Sequence, residues 1–216
     1  MVVLFDFDGT LADSFSFFLQ CINNLSVEFG HETIEDTPEK RRKGMHRIVI
    51  EDIKLKEEIL LPYSDRIRDE LKRNFREIPL FPSVKSVVKK LMRHHSVGIV
   101  STNSERLIRS SLEKEGLGIE LLVTDISLGW KAEALKRILA EDPRDRSEFV
   151  YVGDERRDID ACREAGIPII AVTWGFEPRS DLLEGRPDYL IDEASQLLSV
   201  IHQLSAIGVQ RSAKGT

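Results

Sequence analysis

Val2-Val3-Leu4-Phe5-Asp6-Phe7-Asp8-Gly9-Thr10 runs an apolar strand straight into two carboxylates and a glycine turn. Aspartate is depleted in strands and rarely buried without a partner, so two of them at the end of a β-type run mark a reaction site rather than core. A bound cation is the natural compensator for their charge. Beyond the turn, Asp13-Ser14 can cap a helix, and Phe15, Phe18, Leu19, Ile22, Leu25 and Phe29 then recur on one helical face until Gly30. Thr37-Pro38 starts a second helix, with proline in the first turn where its missing N–H costs nothing, and Gly44 offers a break. Ile67, Leu71 and Phe75 mark another amphipathic helix. Residues 14–81 therefore read as a helical insertion without a strand.

From Pro82 the texture changes. A helical stripe of Val84, Val87, Val88, Leu91 and Met92 precedes the short apolar strand Val97-Gly98-Ile99-Val100. A helix with Leu107, Ile108 and Leu112 leads to a strand at Ile119–Val123, and one with Leu135, Ile138 and Leu139 leads to Phe149-Val150-Tyr151-Val152. Strands at Pro168–Val172 and Asp188–Ile191 follow, then a last helix with Ala194, Leu197, Leu198 and Ile201. Continuous apolar strands alternating with amphipathic helices imply a parallel sheet covered on both faces. The expected fold is α/β: a doubly wound, Rossmann-like core of residues 1–13 and 82–207, interrupted by an all-helical domain at 14–81. Residues 208–216 lack apolar periodicity and are expected to fray.

With 216 residues, 41% of them apolar, the chain can bury a proper core. Its formal charge of -6 argues against a nucleic-acid or anionic-membrane surface and favours small solutes as ligands. Cys21 and Cys162 have no metal-type spacing and read as reduced thiols of a cytoplasmic protein. No apolar run approaches a membrane span. The N-terminus lacks the basic lead-in and cleavage site of a signal peptide, so the mature chain is expected to begin here.

In an open parallel sheet, ligands bind beyond the carboxyl ends of the strands. Each unusual polar cluster falls at such an end: Asp6 and Asp8 after the first strand, Ser101, Thr102 and Asn103 after the second, and Gly153, Asp154 and Asp158 after the strand at 149–152. Lys131, at a helix start, can reach the same rim, with Lys136 and Lys114 as rivals. The set suits phosphoryl transfer, in which a protein mainly positions groups and offsets charge. A carboxylate approaching a phosphomonoester dianion is repelled unless Mg²⁺ and a lysine neutralise the charge between them. Asp154 and Asp158 offer hard oxygen ligands for the ion, and the donors at 101–103 can hold phosphoryl oxygens.

These segments resemble the motifs of the haloacid dehalogenase-type hydrolases, nearest to their phosphoglycolate phosphatase-like branch. Asp6-Phe7-Asp8-Gly9-Thr10-Leu11-Ala12-Asp13-Ser14 resembles the first motif, Ser101-Thr102-Asn103 the second, Lys131 the third, and Gly153-Asp154-Glu155-Arg156-Arg157-Asp158-Ile159-Asp160-Ala161 the fourth, in the family's order. Ala165-Gly166 and Val172-Thr173-Trp174-Gly175 are similar to the branch's run-out.

The resemblance implies that Asp6 is the nucleophile of an aspartyl-phosphate mechanism and that Asp8 moves the proton. It implies that the Asp8 carbonyl joins Asp6 and Asp154 on Mg²⁺, with Asp158 a ligand through water or an orienting group. It also makes the helical insertion a cap. Two departures stand out: Glu155 replaces a small hydroxyl residue, and Lys131 is followed by Ala132-Glu133 rather than closely by proline.

The expected activity is a Mg²⁺-dependent phosphatase of a small phosphorylated metabolite, phosphoglycolate or a sugar phosphate, in a monomer or homodimer. A phosphomutase is the alternative within the family. A receiver-like signalling module is the alternative from another class, disfavoured by Asp8 and by the insertion. In the basic run Lys40-Arg41-Arg42-Lys43, with His46 and Arg47, a solvated helix face is expected, while Arg42 and His46 are the cap's candidates for gripping substrate. His94-His95 reads as a turn, and Trp174 as a packing residue.

Overall fold

The structure is a computed structural model that describes residues 1–55, 57–73, 78–127 and 129–212, except for the side chains of 42, 46, 50, 57, 61, 72 and 207–212. Strand β1 (Val2–Phe5) opens the chain. The insertion follows as α1 (Phe15–Asn24), α2 (Ser26–Phe29), α3 (Pro38–Lys43), α4 (Met45–Arg47), a π-helical segment at Ile48–Ile53, and α5 (Glu57–Arg73). The chain then alternates: α6 (Pro82–Leu91), β2 (Ser96–Val100), α7 (Glu105–Glu115), β3 (Leu121–Val123), α8 (Lys131–Glu141), a 3-10 turn at Arg146–Glu148, β4 (Phe149–Gly153), α9 (Arg156–Ala165), β5 (Ile169–Val172), α10 (Arg179–Gly185), β6 (Tyr189–Ile191) and α11 (Gln196–Ser212).

The sheet is six-stranded in the order β3-β2-β1-β4-β5-β6, and its pairings are parallel. Every residue of β1, β4 and β5 is buried, because successive side chains enter opposite layers. Val3, Phe5, Val150 and Val152 join the layer of α6, α7 and α11, while Val2, Leu4, Phe149 and Tyr151 join that of α8 and α9. Sheet growth reverses between β1 and β4, the switch point at which doubly wound sheets open a crevice.

The insertion has its own apolar cluster, in which Phe15, Leu19, Ile22, Met45, Ile48 and Tyr63 surround Phe176, a residue supplied by the core. A two-segment neck joins the two parts: Ala12 bridges Leu80, Asp13 N donates to Pro79 O at 2.9 Å, and Phe81 N to Leu11 O at 2.9 Å.

Three strands start later than expected, at Leu121, Ile169 and Tyr189. For β5 the reason is local, since Pro168 has no N–H and offers only its carbonyl, to Tyr151 N at 3.0 Å. The final helix continues to Ser212, into the segment expected to fray, because Leu197, Val200 and Ile201 anchor it on the core and propagation past an anchored turn is cheap. Phe75 and residues 213–216 lie outside the described residues. His94 and His95 occupy a turn, bonding back to Leu91 O at 3.0 and 2.9 Å.

Candidate active site

β1 pairs Phe5 with Val152 and with Ile99, and Asp6 N continues the ladder by donating to Val152 O at 2.9 Å. The Asp6 backbone is therefore set by the sheet itself. Its carboxyl is 3% exposed and accepts from Phe7 N at 2.7 Å and from Lys131 Nζ at 2.8 Å. Burial pushes Asp6 above the ordinary carboxylate range, and the Lys131 ammonium opposes that rise.

The chain turns at Gly9, whose φ of 73° lies in the left-handed region and where a Cβ would collide with the Asp154 carboxylate. That turn brings Thr10 Oγ1 to Asp154 Oδ1 at 2.6 Å. It also leaves Asp8 buried, with Asn103 Nδ2 donating to Oδ2 at 2.9 Å and no hydrogen-bond partner on Oδ1 among the described residues. Burial, only partly offset by Asn103, pushes the Asp8 carboxyl up to about 7, so it can hold a proton near neutrality.

After β2, Ser101 is wholly buried and its Oγ accepts from Asn103 N at 3.1 Å, so it braces the loop. Thr102 and Asn103, not Ser101, line the cavity above the rim. Lys131, the first residue of α8, is 5% exposed and donates both to Asp6 and to Asp158 Oδ1, the latter at 2.5 Å. Burial alone would lower its pKa, but Asp158 and Asp6 outweigh that and hold the ammonium above its ordinary range. Its rival Lys136 pairs with Glu164 at 2.5 Å, and Lys114 is exposed, so Lys131 is the lysine at the rim.

At the end of β4, Asp154 is fully buried, accepting from Thr10 and, at 2.7 Å, from Phe176 N. Asp158 serves two purposes, closing a capping box by accepting from Glu155 N at 3.1 Å and orienting Lys131. The helix-capping role and the site role therefore coexist in one carboxylate. Glu155 pairs with Arg157 and brings a carboxylate oxygen within 4.8 Å of oxygens of Asp6 and Asp158. Sequence reasoning noted Glu155 only as a departure; its place next to Asp154 at a helix start was the available signal.

Asp6, Asp8, Asp154, Glu155 and Asp158 outnumber the local cations Lys131 and Arg157, and burial raises Asp6, Asp154 and Glu155. Hard oxygen donors and the clustered trio of Asp6, Glu155 and Asp158 fit a Mg²⁺-type cation. Arg42 and His46 sit on α3 and α4, but their side chains lie outside the described residues. Their neighbours are committed: Lys40 and Lys43 to Asp52, Arg41 to Asp36 and Asp13, and Arg47 to Asp181.

The family model for haloacid dehalogenase-like hydrolases matches residues 3–172. A phosphoglycolate phosphatase of Synechococcus elongatus is 31% identical over 208 residues, covering 94% of this chain and 97% of the relative. A pyrophosphatase of Bacillus mycoides is 25% identical, covering 94% and 97%. Among solved structures, a haloacid dehalogenase-like family hydrolase from Streptococcus pneumoniae matches with a TM-score of 0.74 at 22% identity, covering 93% of this chain and 97% of that one, a likeness of fold.

Proposed function

Because this chain belongs to the haloacid dehalogenase-like hydrolases, we propose that it is a Mg²⁺-dependent phosphatase that hydrolyses a small phosphomonoester through a phosphorylated Asp6. The observation that supports this best is the buried trio in which Lys131 bridges Asp6 and Asp158 beside Asp8. An Asp6 oxygen attacks phosphorus, the bond to the ester oxygen breaks, and Asp8 gives that oxygen its proton. Asp8 then takes a proton from water, whose oxygen attacks phosphorus and frees Asp6 and inorganic phosphate.

Lys131 offsets charge on the nucleophile and the transferring group, while Thr102 and the loop around Asn103 offer donors to phosphoryl oxygens. Asp6, the Asp8 carbonyl and Asp154, with Glu155 and Asp158 nearby, would hold Mg²⁺. That ion supplies positive charge against the phosphoryl oxygens when bound. The insertion expected at 14–81 serves as the cap, and its closure over the rim would exclude water. No helix among the described residues is long and apolar enough to cross a membrane. Together with the acidic charge and two buried free cysteines, this supports a small-molecule enzyme of the cytoplasm.

The test is release of inorganic phosphate from phenyl phosphate with Mg²⁺ and with chelator, combined with peptide mass spectrometry of acid-quenched enzyme. Mg²⁺-dependent release with phosphate trapped on the Asp6 peptide is expected. A stable phospho-form that releases nothing would favour the signalling alternative, and an adduct on another residue would remove Asp6 as nucleophile.

A further inference from the structure

The rim opens into a cavity of about 340 Å³ between sheet and insertion, whose floor includes Asp6, Asp8, Thr102 and Asn103. The insertion's side of it is built from Phe18, Ile22, Met45, Val49, Leu60 and Ile67. Three polar side chains of the insertion also line it among the described residues, each with one bond of its own. Tyr63 Oη meets His31 Nε2 at 3.1 Å, Ser64 Oγ donates to Leu60 O at 2.8 Å, and Arg68 pairs with Asp65 at 3.3 Å. On the rim, Arg157 is paired with Glu155. A leaving group that extends along this wall is desolvated against apolar side chains, which costs a carboxylate or a set of sugar hydroxyls its water and costs an alkyl or aryl body nothing.

We infer that this cavity selects phosphomonoesters whose leaving group is an apolar alkyl or aryl body, in preference to the carboxylate-bearing phosphoglycolate. The inference rests on the phosphatase reading and specifies its substrate class. Size agrees with chemistry: the volume is about twice that of an apolar protein cavity of roughly 150 Å³ that takes up benzene, which leaves room for a phosphoryl group and a ring or short chain. Continuity decides the occupant, because the apolar wall and the carboxylates belong to one cavity and an ester held by its phosphoryl group at Asp6 must extend its remaining atoms along that wall.

The experiment is the specificity constant of the full chain with Mg²⁺ on methyl, ethyl, butyl and hexyl phosphate, and on 2-phosphoglycolate and glucose 6-phosphate. Burial of each methylene is expected to raise kcat/KM roughly three- to four-fold until the cavity is filled. Hexyl phosphate should then exceed both 2-phosphoglycolate and glucose 6-phosphate. A flat alkyl series, or either polar ester ahead of hexyl phosphate, overturns the inference while leaving the phosphatase standing. No hydrolysis of any ester overturns both. Val49→Asp should compress the hexyl-to-methyl ratio at least ten-fold; an unchanged ratio in a variant with wild-type circular dichroism counts against the apolar wall, and a variant that does not fold leaves the decision to the wild-type series.

Discussion

Lys131 shows at the scale of one residue how much a buried charge depends on its partners. Its ammonium is the shared neighbour of Asp6 and Asp158, and all three side chains are nearly inaccessible. Lys131→Met should therefore leave two buried carboxylates without their shared ammonium, Arg157 being the remaining cation nearby, a loss of about 3–5 kcal/mol by analogy with broken buried pairs. Urea denaturation of the two proteins checks this, and equal midpoints would mean that the trio is not held as described. Asp6→Asn is the complementary change. It is nearly isosteric and leaves Lys131 paired with Asp158, so any loss of stability should be smaller than for Lys131→Met while phosphate release falls below detection; measurable turnover would pass the nucleophile's role to another group. Asp6, Asp8, Asp154 and Asp158 were legible in the sequence because aspartates at apolar strand ends are costly unless used. The part Ser101 plays is less legible, because a hydroxyl that braces a loop and one that meets a phosphoryl oxygen have the same local sequence. The structure shows the bracing, with the Asn103 N–H donating to its Oγ, a bond that leaves the hydroxyl's own O–H to donate elsewhere.

Among the elements, the turns after the strands do the positioning, and two predictions belong to them. Gly175 follows β5, and a Cβ on it would overlap the Asp154 side chain. Gly175→Ala should displace that carboxylate, costing about 1–3 kcal/mol as overpacking and lowering kcat at least ten-fold. Thermal unfolding together with initial rates measures both, and a fully active variant would show that Asp154 has room to move. At the end of α8, Asp142 accepts from the Arg144 guanidinium at 2.6 and 2.8 Å and from its backbone N–H at 3.0 Å, bonds that hold the Asp142 carboxyl down at about 2. A carboxyl lowered on folding contributes stability above its ordinary value of 3.8 and loses it as pH falls through about 2. Asp142→Asn should thus cost about 0.5–1 kcal/mol at pH 6, discounted for its place near the surface, and less at pH 3. A stability gap that stays constant across that range would contradict the assignment. The alternation of helices and strands was readable from periodicity because both sheet faces are covered. The first residues of β3 and β6 were not, since where a ladder begins depends on the neighbouring strand rather than on the segment itself, whereas β5 starts late for the local reason that Pro168 has no N–H.

For the whole molecule, the arrangement that matters is the insertion's seat on the core, and one side chain joins the two. Phe176 leaves the core just after Gly175 and enters the insertion's cluster, edge-on to Phe15 and Phe18 with ring centroids 6.2 and 5.3 Å apart. Its carbonyl receives Met45 N at 3.3 Å, its N–H holds Asp154, and it lines the cavity, so one residue links cap, cavity wall and acidic cluster. None of this was visible along the chain, because Phe176 sits in a loop without periodicity and its partners in the insertion are more than a hundred residues away. Phe176→Ala keeps the backbone N–H on Asp154 and removes only the ring, which separates anchoring from chemistry. Truncating a buried phenylalanine costs about 3–5 kcal/mol. Here the loss falls on the seam between the two parts, so the cap should stand open more of the time and bind the ester less well. The expected pattern is a lower denaturation midpoint with KM raised about ten-fold or more and kcat at saturation changed much less, because Asp6, Asp8 and Lys131 keep their sheet-derived positions. The opposite split, an unchanged KM with a collapsed kcat, would place Phe176 in the support of the carboxylates and detach the cap from substrate binding.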